Sequence, residues 1–243
     1  MPAPPAEDIY DPVFVRDVFD RCSVRYRYWS QIASFGIIML WRRYCVDTMP
    51  ALPAGEVAGL DLMAGTGEAW PYLLRRRPQI AWITAVDISS EMNKRALDRL
   101  HRSRSRRIKL IEADVLKNTI PAASADFIIS TFGLKTFNHD QQKQLAHELA
   151  RVLKRGGVFS LIEASDPKGW LLYRLYRFYL SQVLPLIEKT VLNGAQDFSM
   201  LAIYTRNFGD CRFIAQCLAD EGLDVEFKTH FFGCATGVVG HKP

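Results

Sequence analysis

Short apolar runs alternate with segments of helical periodicity from residue 57 to residue 163. Val57 to Leu62, Ile80 to Val86, Ile108 to Ala113, Phe127 to Thr131 and Val158 to Glu163 are short and evenly apolar, as strands buried on both faces of a parallel sheet require. Between them, Glu91 to Arg102 and Asp140 to Leu153 are helix candidates. The second places Leu145, Leu149 and Val152 on one face, and its following Lys154-Arg155-Gly156-Gly157 reads as a basic, glycine-rich helix stop. Beyond a helix over Asp210 to Gly222, the segments Leu223 to Phe231 and Ala235 to Gly240 flank a short Phe-Gly-Cys turn and suit an antiparallel hairpin. The pattern predicts an α/β chain with a mostly parallel sheet of seven strands closed by that hairpin. Helices precede the sheet, and a helical insert follows the fifth strand.

The strand ends carry the candidate chemistry. The first strand runs into Asp61, Leu62, Met63, Ala64, Gly65, Thr66 and Gly67, where small residues let a ligand approach bare peptide groups. A third glycine is missing and no Gly-Lys-Ser/Thr follows, so neither a pyrophosphate fingerprint nor a Walker loop is present. Asp87 closes the second strand about twenty residues later, where an acid can accept both ribose hydroxyls; its alternative role is to cap the helix starting at Ser89 or Ser90. The third strand ends at Asp114-Val115, a carboxylate beside an apolar residue, as an adenine amino group and ring face would use. The three acids together describe an adenosine lying across the carboxyl ends of the strands.

Composition narrows the setting. With 243 residues, 49% of them hydrophobic, the chain supports one α/β core with appendages. The segments divide as residues 1–50 (N-terminal helices), 57–166 (the adenosine-binding core), 167–206 (a helical insert) and 207–243 (the closing helix and hairpin). No apolar run is long enough to span a membrane, and a cytoplasmic location is expected. Cys22, Cys45, Cys211, Cys217 and Cys234 form neither a C-x-x-C pair nor a cluster with histidine, so no disulfide framework and no metal site are indicated. The net charge of +5 owes part to Arg102, Arg104, Arg106 and Arg107, which lack the interleaved aromatics of a nucleic-acid binder.

Over most of its length, from about Tyr26 to Lys242, the chain resembles the ubiquinone and menaquinone C-methyltransferases. The resemblance rests on Ser34-Phe35-Gly36 with Trp41-Arg42, Asp61-Leu62 with Ala64 to Gly67, Val86-Asp87-Ile88-Ser89 with Met92, Phe132-Gly133-Leu134, Arg151-Val152-Leu153-Lys154 with Gly156-Gly157, and Tyr173, Tyr176 and Pro185. It implies a Rossmann-like class I methyltransferase fold and S-adenosyl-L-methionine as cofactor. The implied cofactor contacts are Asp61, Ala64, Gly65, Thr66, Gly67, Asp87, Ile88, Met92, Asp114, Val115, Ser130 and Thr131. The departures fall on the acceptor side. Tyr26-Arg27 stands for the family's Tyr-Asp, Ser30 for an Asn, Lys135-Thr136 for Arg-Asn, and the run Phe198 to Tyr204 for Tyr-x-Tyr-Leu-x-x-Ser.

The expected acceptor is a hydrophobic small molecule, first of all a prenylated quinol-type aromatic methylated on carbon. Tyr26, Trp29, Phe132, Tyr173, Tyr176, Phe198 and Tyr204 are the candidate acceptor contacts. Lys135 is the candidate for assisting loss of the acceptor's phenolic proton, the alternative being a surface lysine near a helix start; His139 is a second candidate base. The insert from Trp170 to Leu186 is too apolar all round for a surface helix and suits a cover for that acceptor. The N-terminal aromatics, with Arg42 and Arg43 behind them, suit a lid in peripheral contact with an anionic membrane surface. A homodimer or a pathway complex stays open. Two other readings remain: a relative methylating another hydrophobic metabolite at oxygen, nitrogen or an alkene carbon, and a non-catalytic cofactor-binding subunit of a lipid-pathway assembly. No Asn/Asp-Pro-Pro-Tyr/Phe follows the fourth strand, which disfavours nucleic-acid methylation.

Overall fold

A computed structural model describes residues 8–24, 26–103, 105–183, 186 and 198–243. The alternating apolar runs form one sheet of β1 (Val57–Leu62), β2 (Ile80–Asp87), β3 (Ile108–Glu112), β4 (Ala125–Thr131), β5 (Leu153–Ala164), β6 (Asp224–His230) and β7 (Ala235–His241). Their order is β3-β2-β1-β4-β5-β7-β6. The first five are parallel, and β7 runs antiparallel between β5 and β6. The order reverses between β1 and β4. At such a switch point the two outgoing chains diverge and leave a crevice over the carboxyl ends of the strands.

Helices cover both faces. On one face pack α3 (Ile37–Thr48), α4 (Trp70–Arg76) and α5 (Ser90–Ser103), around Trp41, Val46, Leu73, Ile83 and Phe127. On the other pack α6 (His139–Val152) and the late helix Arg212–Asp220, around Leu145, Leu149, Ile214, Leu218 and Phe159. Two shorter N-terminal helices, α1 (Pro12–Cys22) and α2 (Tyr26–Ala33), lie over the crevice. Asp11 starts α1 by accepting from the Val13 and Phe14 amides, ahead of a first-turn proline. Val18 and Cys22 of α1 then pack with Met92 of α5, which fixes the lid to the second strand's helix.

The expected glycine stop of α6 is corrected. The helix ends at Val152, and Lys154 to Gly157 lie inside β5, where the register jumps from Ala125↔Leu153 to Phe127↔Val158. Gly156 takes φ +73°, which lets the strand bulge while its amide bonds Lys242. The cation that meets the carboxyl end of α6 is Lys242, whose Nζ donates to the Ala150 and Leu153 carbonyls. The hairpin and the late helix fall where the hydrophobic pattern placed them.

Candidate active site

Two turns build the crevice. After β1, Met63 takes φ +52° and Gly65 φ +56°; after β4, Phe132 takes φ +70°. Left-handed backbone at bulky residues is costly and persists where surrounding structure enforces it. The two turns touch, since a Cβ on Gly133 would lie 2.4 Å from Met63 Cβ. Gly65 itself faces open space, and a Cβ there would meet nothing within 4 Å. The cleft beside it is lined by Ala64, Gly65, Asp87, Ile88, Met92, Asp114, Val115 and Thr131 from the sheet side, and by Tyr10, Val15, Phe19 and Tyr26 from the lid.

Asp87 sits at the centre of this cleft. Its two oxygens accept from the Gly65 amide at 2.7 Å and the Ser89 amide at 2.9 Å. Burial pushes its carboxyl up to about 6, against the lowering effect of those two amides. Capping of α5 falls instead to Ser89, whose Oγ accepts from the Met92 amide, supported by Asp20 of α1. Asp114 accepts from the Leu116 amide and turns the chain after β3, leaving Val115 and Leu116 as an apolar wall.

Next to the cleft lies an apolar cavity of about 590 Å³. It is enclosed by α2, α3 and the insert, in which α7 (Tyr173–Phe178) continues into a wider turn over Tyr179–Val183. Tyr26 and Phe132 line both spaces and form the partition between them. Lys135 is the single charged residue in the cavity wall among the described residues. It is buried, and its Nζ donates to Glu163 at 2.6 Å and to the Phe132 carbonyl at 3.3 Å. Glu163, fully buried at the end of β5, also accepts from the amides of Lys135 and Ala164. The surface-lysine alternative is thereby overturned: Lys135 is an ammonium fixed by an ion pair in the wall of an apolar chamber.

A sequence model of the ubiE/COQ5 methyltransferase family matches residues 7–242. The chain belongs to this family. It is 32% identical over 226 residues to the ubiquinone/menaquinone biosynthesis C-methyltransferase UbiE of Methylococcus capsulatus, covering 93% of this chain and 88% of that one. Identity to the UbiE of Pseudomonas putida strain GB-1 is 27% over 234 residues, covering 94% and 89%. Among solved structures, the putative methyltransferase bound to the Haloferax volcanii Trm112 activator superposes with a TM-score of 0.63 at 17% identity, covering 93% of this chain and 97% of that one. The geranyl diphosphate C-methyltransferase of Streptomyces coelicolor gives 0.58 at 12% identity, covering 83% and 77%. These likenesses show the fold.

As a member of the ubiE/COQ5 family the chain is an S-adenosylmethionine-dependent methyltransferase, and the cleft fits that cofactor. A half-buried carboxylate at the β2 terminus, an open glycine turn and the apolar slot of Ile88, Met92, Val115 and Leu116 suit a ribose, a close approach and a ring face.

Other expected family contacts stand outside the cleft. Asp61 is buried beneath it, accepting from Trp70 Nε1 at 2.7 Å, and burial pushes its carboxyl up to about 7. Thr66 donates to Glu68, Gly67 packs against the Trp70 ring, and Ser130 is fully buried. Each supports the lining and does not itself form it. His139 stacks on Phe213 with ring centroids 4.1 Å apart and lines neither space. A role as base has no geometric support there. Tyr176 lines the cavity, whereas Tyr173 donates to Asp166, and Tyr204 donates to the Ile9 carbonyl and anchors its helix to the N-terminus. The side chains of Trp29 and Phe198, and Pro185, lie outside the described residues.

Sequence reasoning set Arg42 on a basic outer face with Arg43. Instead it is buried, lines the cleft and pairs with Glu68 at 2.9 Å. The signal was present in spacing: Ile38, Trp41, Arg42, Cys45 and Val46 form the inward stripe of α3, and an arginine within such a stripe needs a partner. Glu68, one residue beyond the glycines, was missed outright.

Proposed function

We propose that the chain methylates a ring carbon of a lipophilic, phenol-type aromatic acceptor, with a prenylated quinol precursor as first choice. The observation that carries this reading is the chamber beside the cofactor cleft: predominantly apolar, sharing Tyr26 and Phe132 with the cleft, with one ammonium in its wall. The UbiE relatives, ubiquinone/menaquinone biosynthesis C-methyltransferases, support the same acceptor class.

S-adenosylmethionine supplies a methyl group on a sulfonium, which a carbon nucleophile can displace in line. The residues of the chain supply alignment, dryness and charge. An aromatic ring becomes a carbon nucleophile when its hydroxyl carries negative charge, and the Lys135 ammonium is placed to stabilise that oxygen. Two of its three protons are engaged by Glu163 and the Phe132 carbonyl, leaving one for an acceptor oxygen. Glu163 holds the ammonium in place and is itself held by two backbone amides, so the charge needs little reorganisation during reaction. The aromatic walls exclude the water that would otherwise compete for the phenolate.

The chamber's mouth supports peripheral contact with a lipid surface, from which such an acceptor would come. Phe35 (78% exposed) and Leu171 (93%) stand out from the rim with Leu175, Phe178 and Phe232. Phe35, Phe231 and Phe232 all have positive φ, a strained way to hold aromatic rings in water. Residues 21–46 and 167–186, which supply much of this rim, contain five arginines and three further cations respectively, and no Asp or Glu. A second reading, methylation of another hydrophobic metabolite, draws on Lys135-Thr136 standing where the family carries Arg-Asn.

The test is incubation with a lipid extract and isotopically methyl-labelled donor, followed by mass spectrometry of the products. Label on a ring carbon of a prenylated quinol is the expected result. Label on oxygen, nitrogen or a non-aromatic lipid would transfer the assignment to the second reading, and no labelled product from any acceptor would overturn it.

A further inference from the structure

The donor cleft and the acceptor chamber meet on one further element, the helix Phe198–Phe208. One side of it faces the chamber, where Leu201, Ala202 and Thr205 form part of the wall. Met200 and Leu201 also pack against Val18, Cys22 and Tyr26 of the lid helices. At Tyr204 the same helix reaches the start of the lid. The side chain is fully buried, its hydroxyl donates to the Ile9 carbonyl at 2.5 Å, and its ring lies 5.8 Å from that of Tyr10.

Tyr10 begins the roof over the donor cleft, which continues through Pro12, Val15 and Phe19. Asp20 holds this roof to α5 by accepting from the Ser89 hydroxyl and the Glu91 amide, and Gln141 of α6 holds it by donating to the Tyr10 carbonyl at 2.9 Å. Those two helices pack on the sheet and are fixed anchors. Tyr204 differs, because its helix is itself a wall of the acceptor chamber. It is also a departure of this chain, since the family pattern carries Ser at this position, and a hydroxyl one bond beyond Cβ does not reach as far as one across a ring.

A ligand in the chamber adds apolar contacts to Leu201, Ala202 and Thr205 and so restrains the helix. A restrained helix holds Ile9 and Tyr10 more firmly over the cleft, and order imposed by one ligand lowers the entropic cost of binding the other. Resting on the donor and acceptor readings above, we propose that Tyr204 is a positioning residue: through its bond to Ile9 it couples occupancy of the acceptor chamber to closure of the lid over the donor. The two substrates then bind with positive cooperativity, and the donor is held most firmly once an acceptor is in place.

Calorimetric titration of the full chain with S-adenosylhomocysteine, alone and with saturating 2-geranylphenol as the acceptor probe, tests this. In the wild-type protein the probe tightens S-adenosylhomocysteine binding by about 3- to 10-fold, the range that one neutral hydrogen bond supports, and S-adenosylhomocysteine tightens the probe by the same factor. Tyr204→Phe keeps the buried ring and loses the hydroxyl, so each ligand alone binds within about threefold of wild type while the mutual factor falls below about twofold. Tyr204→Ser, the residue of the family pattern, loses the coupling as well. A factor that survives both substitutions, whether or not both affinities fall together, would make Tyr204 purely structural and overturn the coupling, as would independent binding of the two ligands to the wild-type protein. Failure of 2-geranylphenol to bind where S-adenosylhomocysteine does would instead refute the acceptor reading, and failure of S-adenosylhomocysteine to bind would refute the donor reading, each taking the coupling with it.

Discussion

Lys135→Met separates the chemical role of the buried ion pair from its structural one. The substitution removes the ammonium and leaves Glu163, fully buried, with two backbone amides as its remaining donors. Removing one partner of a buried pair costs about 3 to 5 kcal/mol, and the two surviving amide bonds place this case at the lower end, about 3 kcal/mol. For a chain of this size, each kcal/mol moves Tm by roughly 2 to 4 °C, so a fall of about 6 to 12 °C is expected. Adding Glu163→Gln neutralises the stranded carboxylate and keeps an oxygen for one of the two backbone donors, which bond different carboxylate oxygens. That double variant should recover part of the lost stability. It should not recover turnover, which falls by about 100-fold or more in both variants as stabilisation of the phenolate is lost. Affinity for S-adenosylhomocysteine should stay within about threefold, because Lys135 lines the acceptor chamber and not the cleft. Urea unfolding, calorimetry and initial-rate methyl transfer read the three quantities separately. If turnover returns together with stability in the double variant, Lys135 serves folding alone and the catalytic argument fails.

Three further expectations follow from named contacts. With Asp87 proposed to hold the ribose as a carboxylate, and its carboxyl lifted by burial to about 6, donor affinity should be level above about pH 7 and fall roughly tenfold per unit below about pH 6; an affinity unchanged between pH 5 and pH 7 would remove Asp87 from the site. Gly67→Ala, at φ +72° with a new Cβ 2.2 Å from the Trp70 ring, should cost about 2 to 5 kcal/mol by urea unfolding. Gly65→Ala, at φ +56° in open space, should cost only about 1 to 2 kcal/mol, so equal costs would contradict the close packing of Gly67. Sedimentation with anionic vesicles should capture the protein at low salt and lose it in Phe35→Ser/Phe232→Ser, with S-adenosylhomocysteine binding intact; capture that ignores both lipid charge and these two rings would refute the proposed lipid-facing rim.

The sheet was legible because its information is local. The apolar runs fall within one or two residues of the strands they form, except at β5, which begins five residues before its run, and the acids at Asp87 and Asp114 stand at strand ends, where the chain turns toward a ligand. The α6 terminus was misread for a related reason. Lys154 to Gly157 has the local chemistry of a helix stop, but pairing with β4 and β7 takes these residues into β5, and tertiary hydrogen bonds outweigh a cap preference worth about 1 kcal/mol. His139 shows the same limit: its place at a helix start was readable, whereas its stacking on Phe213, 74 residues away in the chain, was not.

Charge was the least legible property, because a sequence gives the sign of a side chain but not its partner. Lys135 and Glu163 are 28 residues apart, and Arg42 and Glu68 are 26 apart; each pair meets only because the β1–β4 switch point draws α3, the glycine turn and the end of β5 together. Both cations lie within 6 Å of the same ring, Arg42 at 5.4 Å and Lys135 at 5.9 Å from the Phe132 centroid. The left-handed backbone of Phe132 therefore has a definite consequence. It presents one aromatic ring to both ion pairs, so that the partition between donor and acceptor is flanked by a cation on each side. Moving that ring would shift Arg42 and Lys135 together, so the strained turn after β4 couples the wall of the cleft to the wall of the chamber.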